Sequence, residues 1–134
     1  MSIKHVLVVD DEPDICALLE ITLQRMGIET TSTTRMRDAL DLIGKRAFDL
    51  CLTDMRMPDG DGLELVRHIQ RHHPDLPVAV ITAHGSVDSA GNALKLGAFD
   101  FVTKPVNLEM LRRLIDNALR LGKAPGPRDQ LQDR

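Results

Sequence analysis

The chain alternates between two kinds of apolar segment. Short continuous runs rich in β-branched residues, such as HVLVV at 5–9 and VAVIT at 78–82, are typical of strands that are covered on both faces. Between these runs, apolar residues recur at intervals of three and four, as in amphipathic helices. The pattern predicts five strands, at residues 5–9, 29–33, 50–53, 78–82 and 100–103. It predicts five helices, at residues 13–26, 36–45, 62–72, 86–96 and 107–121.

Proline and glycine residues support these helix limits. Pro13 stands where a first helical turn accepts proline, and Gly27, Gly97 and Gly122 follow predicted helix ends. The polar strand ETTST suits the edge of a sheet. Because strand and helix alternate five times, we expect an α/β domain with a parallel sheet and helices on both faces.

Length and composition narrow the function classes. The 134 residues suit one domain, and we expect it to span 1–122, with the Pro- and charge-rich KAPGPRDQLQDR at 123–134 as a flexible tail or the start of a linker. Acidic residues outnumber basic ones by 20 to 17, and the basic residues are scattered, so the sequence predicts no direct binding of nucleic acid. No apolar run resembles a signal peptide or a membrane span. We therefore expect a cytoplasmic protein without a membrane partner.

Cysteine and aromatic residues argue against two further classes. Cys16 and Cys51 lie on predicted apolar faces and are too few for a disulfide framework, so we expect both to be buried and unreactive. The only aromatic residues of the Phe, Trp and Tyr class are three phenylalanines. This composition disfavours a flavin site or a surface that stacks single-stranded nucleic acid.

Residues with chemical potential collect where the predicted strands end. In an open parallel sheet, functional groups gather beyond the carboxyl ends of the strands. The residues at these ends are Asp10, Asp11 and Glu12 after the first strand, Asp54 after the third, Thr82 and Ala83 at the fourth, and Lys104 and Pro105 after the fifth.

Each of these residues alone could simply form a turn or cap a helix. Together they place several carboxylates, a hydroxyl and an ammonium at one edge of the sheet. Two carboxylates repel each other by about 3 kcal/mol at about 5 Å and an effective dielectric of about 20. A cation must offset this repulsion, and a set of oxygen ligands favours Mg²⁺ or Mn²⁺ over Zn²⁺.

The acidic run DGDG at 59–62 suggests a calcium loop at first sight. An EF-hand that began at Asp59 would need an oxygen ligand at its fifth position, where Leu63 stands. We therefore assign Asp59 and Asp61 to a turn, with Asp61 as a candidate cap of the third helix.

Four motifs, VVDDEPDI, LTDMRMPDGDG, VITAHG and GAFDFVTKPV, together resemble the bacterial response-regulator receiver domain over residues 4 to about 121. The longer stretches DLCLTDMRMPDGDGLELV and GAFDFVTKPVNLEML resemble the NtrC type, which works with sigma-54, and within it the regulators of type IV pili. The resemblance implies a flavodoxin-like (CheY-like) doubly wound α/β fold. Its five-stranded parallel sheet would have the order 2-1-3-4-5, with five helices.

The resemblance also implies that Asp54 accepts a phosphoryl group from a sensor histidine kinase. An aspartate is ionised at pH 7, so it needs no general base to act as a nucleophile. Magnesium or manganese would be held by Asp10, Asp11, Asp54 and the backbone carbonyl of Arg56. Thr82 and Lys104 would contact the phosphoryl oxygens.

In such a domain, phosphorylation would draw Thr82 toward the phosphoryl group and let Phe101 turn inward. This would reshape the surface of the fourth helix, fifth strand and fifth helix, where such domains dimerise or contact an attached domain. The Lys104–Pro105 peptide would be cis. We further hypothesise that Arg56 and His84 tune the lifetime of the phosphoryl group.

The resemblance leaves the size of the protein open. Full-length relatives append an AAA+ ATPase and a DNA-binding domain. The domain itself would catalyse only its own magnesium-dependent phosphorylation and dephosphorylation, so it would not be an enzyme in the usual sense. The alternatives are a stand-alone receiver or a pseudo-receiver that acts as an interaction module, and a phosphatase with an aspartyl-phosphate intermediate. The phosphatase would need an acid at position 56, where the chain has arginine.

Overall fold

The structure, a computed structural model, describes residues 3–83 and 87–121, except for the side chains of 87–89 and 121. Five strands form the main sheet: β1 (His5–Val9), β2 (Glu29–Thr33), β3 (Leu50–Asp54), β4 (Val78–Thr82) and β5 (Asp100–Thr103). Five helices connect or follow them: α1 (Pro13–Arg25), α2 (Met36–Lys45), α3 (Gly62–His72), α4 (Val87–Lys95) and α5 (Leu108–Leu121).

All strands of this sheet are parallel, in the order β2-β1-β3-β4-β5. The fold class and strand order expected from the sequence are therefore confirmed, as is the edge position of the polar β2. The strand order reverses between β1 and β3, which creates a crevice beyond their carboxyl ends. Asp10 and Asp54 lie at this point.

Alternating side chains of the central strands divide the core into two layers. Val6 and Val8 of β1 pack with α1 and α5, whereas Leu7 and Val9 pack with α2 and α3 on the opposite face. Every residue of β3 and β4 is buried. Because helices cover both faces of the sheet, the central strands consist largely of continuous apolar runs. The same packing holds the carboxyl ends of these strands in fixed positions.

A short antiparallel ribbon follows β3 and was not predicted. It pairs Arg56–Met57 with Gly60–Asp61 around a turn at Pro58 and Asp59, and we call these residues, 56–61, the ribbon. Strands of two residues are too short for a hydrophobic period, so the pattern of the sequence could not reveal them. The ribbon leads directly into α3.

The burial expected for both cysteines is confirmed. Cys16 and Cys51 are free thiols in the core, and burial raises the pKa of Cys51 to about 12. None of the helices in the described ranges combines the length and the apolar character that a membrane span requires. His84 and the tail at 123–134 lie outside the described residues, so the domain boundary stays a prediction.

Candidate functional site

The carboxyl edge of the sheet brings four acidic side chains together. One carboxylate oxygen from each of Asp10, Asp11, Glu12 and Asp54 lies within 4.8 Å of the others. Asp10 is fully buried and Asp54 nearly so, because both leave central strands beneath covering helices. Asp11 and Glu12 are exposed at the rim. The sequence placed these residues at one sheet edge, and the structure shows that they converge.

Lys104 supplies the opposing charge from the end of β5. Its Nζ lies 2.8 Å from Glu12 Oε2, 3.3 Å from Asp54 Oδ2 and 3.3 Å from Asp10 Oδ2. Its backbone N–H donates to the Thr82 carbonyl at 2.8 Å, and the Lys104–Pro105 peptide bond is cis. The nearest of its three partners, Glu12, was placed at this edge by the sequence analysis but was given no role there.

Burial dominates the electrostatics of the two inner acids. It raises the pKa of Asp10 from 3.8 to about 6, helped by the charge of Asp54 and opposed by the Glu12 backbone N–H and by Lys104. Burial also raises the pKa of Asp54, against the charge and hydrogen bond of Lys104. Burial lowers the pKa of Lys104, but its bond to Glu12 and the two aspartate charges outweigh burial and leave that pKa raised. The four carboxylates therefore carry more negative charge than the single ammonium of Lys104 can neutralise.

Two buried polar atoms at the site have no hydrogen-bond partner among the described residues, namely Asp10 Oδ2 and Thr82 Oγ1. Asp10 Oδ2 does form an ion pair with the ammonium of Lys104, at 3.3 Å. A buried oxygen without a partner costs about 1–3 kcal/mol, so both atoms are suited to a ligand that supplies a cation and a hydrogen-bond acceptor. The donor set consists of oxygens, which fits a hard divalent cation such as magnesium.

These groups border a cleft of about 350 Å³. Its lining includes Asp54, Arg56, Thr82 and Lys104. The exposed Arg56 is at the mouth, and its backbone N–H hydrogen bond acts to lower the pKa of Asp54. Phe101 lies away from this lining, half-buried on β5 and packed against the core. His84 is outside the described residues, so its relation to the cleft is not described.

The two acids assigned to the turn do lie outside the acidic cluster. Asp61 caps α3 through a capping box with Glu64, as expected for a candidate cap. Asp59 lies in the turn of the ribbon and also caps α2, a role that the sequence analysis missed. The signal was available in α2 itself, whose N-cap residue is Arg35 rather than a residue that caps well.

The family comparison agrees with the fold and the acidic crevice. Residues 6–116 match the response regulator receiver domain model, and the chain belongs to this family. Because the domain is a receiver domain, it belongs neither to the phosphatases with an aspartyl-phosphate intermediate nor to the flavin-binding proteins.

Individual relatives narrow the type. The chain is 60% identical over 121 residues to the response regulator protein PilR of Pseudomonas aeruginosa, covering 90% of this chain and 27% of PilR. The NtrX receiver domain of Brucella abortus is 38% identical, with a TM-score of 0.82 and coverage of 86% of this chain and 98% of that one. The beryllofluoride-activated NtrC4 receiver domain dimer is 39% identical, with a TM-score of 0.83 and coverage of 88% and 98%. The NtrC-type, PilR-like resemblance seen in the sequence is thus confirmed.

The raised pKa of Asp10 predicts how stability depends on pH without magnesium. Protonation of Asp10 stabilises the folded state fully below pH 3.8, and this stabilisation disappears as the pH rises through about 6. Asp10→Asn mimics the neutral acid, so its free energy of unfolding should exceed that of the wild type increasingly from about pH 4 to about pH 7.5, by about 2 kcal/mol. Urea unfolding in chelator at both pH values measures this.

The matched control is Asp41→Asn, which removes an exposed acid of α2 that pairs with Lys45. Its effect on stability should be nearly the same at both pH values. An Asp10→Asn difference that did not grow with pH would contradict the burial effect at Asp10.

Proposed function

We propose that this receiver domain accepts a phosphoryl group on Asp54 from the phosphohistidine of a sensor kinase. The observation that carries the proposal is the convergence of Asp54 with three neighbouring acids, a lysine and a buried threonine whose hydroxyl has no hydrogen-bond partner among the described residues. A carboxylate oxygen of Asp54 would attack phosphorus while the phosphorus–nitrogen bond of the donor breaks, and the nitrogen would leave with its electron pair. The product is an aspartyl phosphate.

Magnesium is the proposed cofactor, with manganese as a substitute. Asp10, Asp11, Asp54 and the carbonyl of Arg56 would hold it, and when bound it would neutralise charge on the transferring phosphoryl group. Asp10 Oδ2, which accepts no hydrogen bond among the described residues, and the excess of carboxylates support this assignment. Phosphoryl transfer needs mainly alignment and charge neutralisation, and a rigid crevice between covered strands suits both.

Lys104 and Thr82 would bind the oxygens of the transferred group. Lys104 Nζ is already 3.3 Å from Asp54 Oδ2, and Thr82 has a hydroxyl that is free to donate in the described part of the chain. The movement of Thr82 toward a phosphoryl oxygen would leave room for Phe101 to turn inward. Phe101 lies on β5 and pairs in register with Val80 of the neighbouring β4, two residues before Thr82.

This switch would alter the surface formed by α4, β5 and α5. Leu94 of α4 and Met110 of α5 are large apolar side chains that remain exposed. NtrC4 provides a relative whose activated receiver domain is a dimer. We infer that the surface of α4, β5 and α5 in this chain binds a second copy of the domain or an attached domain.

The chain spans about a quarter of the length of the curated relatives that it matches. We propose that the complete protein is a PilR-like regulator of type IV pili, in which this domain controls an AAA+ ATPase and a DNA-binding domain. The identity to PilR supports this proposal, and the alternative of a stand-alone interaction module is not favoured. Its cytoplasmic location stays a prediction from the sequence.

The proposed reaction predicts a covalent adduct. Incubation with magnesium and acetyl phosphate should add one phosphoryl group, detected by intact mass, because Asp54 is aligned beside a lysine and the metal ligands. Asp54→Ala should gain no adduct, and chelation should abolish the adduct of the wild type. A folded wild-type protein without an adduct would favour the pseudo-receiver alternative.

The lifetime hypothesis predicts faster loss of the phosphoryl group when the mouth of the cleft is opened. Arg56 is exposed and lines the cleft, so Arg56→Ala should admit water more readily and shorten the half-life of the adduct. The hypothesis predicts a changed half-life for His84→Ala as well. Intact mass over time measures both decay rates, with Arg71→Ala, on the exposed side of α3, as the control. Decay at the wild-type rate in both variants would refute the tuning role.

A further inference from the structure

Asp59 at the tip of the ribbon joins two segments that are distant in sequence. Its Oδ1 accepts a hydrogen bond from the backbone N–H of Met36 at 2.9 Å, and its Oδ2 accepts one from Arg37 at 3.0 Å. These two N–H groups belong to the first turn of α2, where helical N–H groups have no partner within the helix. Both bonds favour the ionised carboxylate, and they lower the pKa of Asp59.

Helix α2 lacks a cap from its own neighbours. Arg35 occupies the N-cap position and makes no side-chain capping hydrogen bond. The cap comes instead from a residue 23 positions after Met36, and its negative charge lies at the positive end of the helix dipole. The contact therefore ties the ribbon to α2 as well as completing the helix.

An apolar contact fastens the ribbon to the same turn of α2. A Cβ atom on Gly60 would lie 2.7 Å from Sδ of Met36 and 3.1 Å from its Cε. The Met36 side chain thus packs directly on the ribbon backbone, which only glycine permits without displacement. Met36 and Met57 are both buried, so the tip of the ribbon is held by polar and apolar contacts together.

The other end of the ribbon belongs to the candidate site. Arg56 pairs with Asp61 across the ribbon, and the Gly62 N–H donates to the Met55 carbonyl at 2.7 Å. These backbone hydrogen bonds link the two strands of the ribbon. A displacement of its tip would therefore reorient the peptide group of Arg56. A metal ligand must be held within about 0.5 Å of its working position, so such a displacement would weaken metal binding.

We propose that Asp59 is a positioning residue that couples the metal site to the first turn of α2. The inference rests on the proposed function, because it takes the Arg56 carbonyl as a metal ligand. Coupling between two sites is reciprocal. If the Asp59 contact favours the ribbon geometry that binds magnesium, then magnesium must in turn stabilise the first turn of α2. Metal binding at the site would thus change the stability of α2.

Two measurements test the coupling in each direction. Calorimetric titration should show that Asp59→Ala binds Mg²⁺ about tenfold more weakly than the wild type, at the lower end of effects from residues behind a metal ligand. Asp59→Asn, which retains an oxygen acceptor, should recover part of the affinity. Hydrogen exchange in the wild type should slow on addition of Mg²⁺ at the Ala39 N–H, which bonds to the Arg35 carbonyl. In Asp59→Ala this slowing should vanish.

Ile43→Val is the matched control, because it loosens the buried face of α2 without touching the cap. It should bind Mg²⁺ with wild-type affinity and keep the slowing at Ala39. Wild-type affinity in Asp59→Ala, or an equal loss in Ile43→Val, would overturn the coupling alone. A wild-type protein that did not bind Mg²⁺ would overturn the proposed metal site and the coupling with it. If Asp59→Ala failed to fold, the same two measurements on Asp59→Asn and the wild type would decide.

Discussion

Repulsion among the carboxylates at the carboxyl edge of the sheet is the constraint around which this domain is organised. Asp10 directly follows β1 and Asp54 ends the adjacent β3, and burial there removes the water that would otherwise screen them. Lys104 opposes the repulsion from the far side of β4. One ammonium cannot neutralise four neighbouring carboxylates, so the resting site is poised to take up a further cation.

The fold tolerates this repulsion because apolar packing away from the site stabilises it. Two apolar layers cover the sheet, and the strands beneath the site are buried along their whole length. Such packing resists the small displacements that would relieve repulsion between Asp10 and Asp54. The same rigidity keeps the carboxylates aligned, which is the condition for phosphoryl transfer that depends on position and charge. The stability of the core thus allows an electrostatically unfavourable cluster of carboxylates to persist.

Much of this arrangement could be predicted from the sequence, because it follows from backbone periodicity. The apolar runs located the strands, the parallel sheet followed from their alternation with helices, and a parallel sheet brings strand ends such as Asp10, Asp54 and Lys104 to one edge. What could not be predicted depends on where side chains reach. Nothing in the sequence pattern shows that Glu12 is the nearest partner of Lys104. Arg35 signals that α2 has a poor cap of its own, but the pattern does not show that Asp59, 23 residues after Met36, supplies one.

The contacts of Lys104 also predict what would change if Asp54 accepts a phosphoryl group as proposed. Lys104 is shared among three carboxylates, and its shortest contact is to Glu12 rather than to Asp54. A phosphoryl group on Asp54 would carry more negative charge than the carboxylate it replaces. It would compete more strongly for Lys104, and with Thr82 it would draw the ends of β4 and β5 into a new arrangement.

The most direct test of the central constraint is the free energy of unfolding of Lys104→Met, with and without magnesium, at about pH 7.5. Methionine keeps much of the side-chain stem but removes the charge. Without magnesium the variant should be less stable than the wild type, because the carboxylates lose their internal cation. If magnesium binds the folded site as proposed, the gain in stability it gives should be larger in the variant than in the wild type, because no ammonium competes for the carboxylates. An equal or smaller gain would contradict the account.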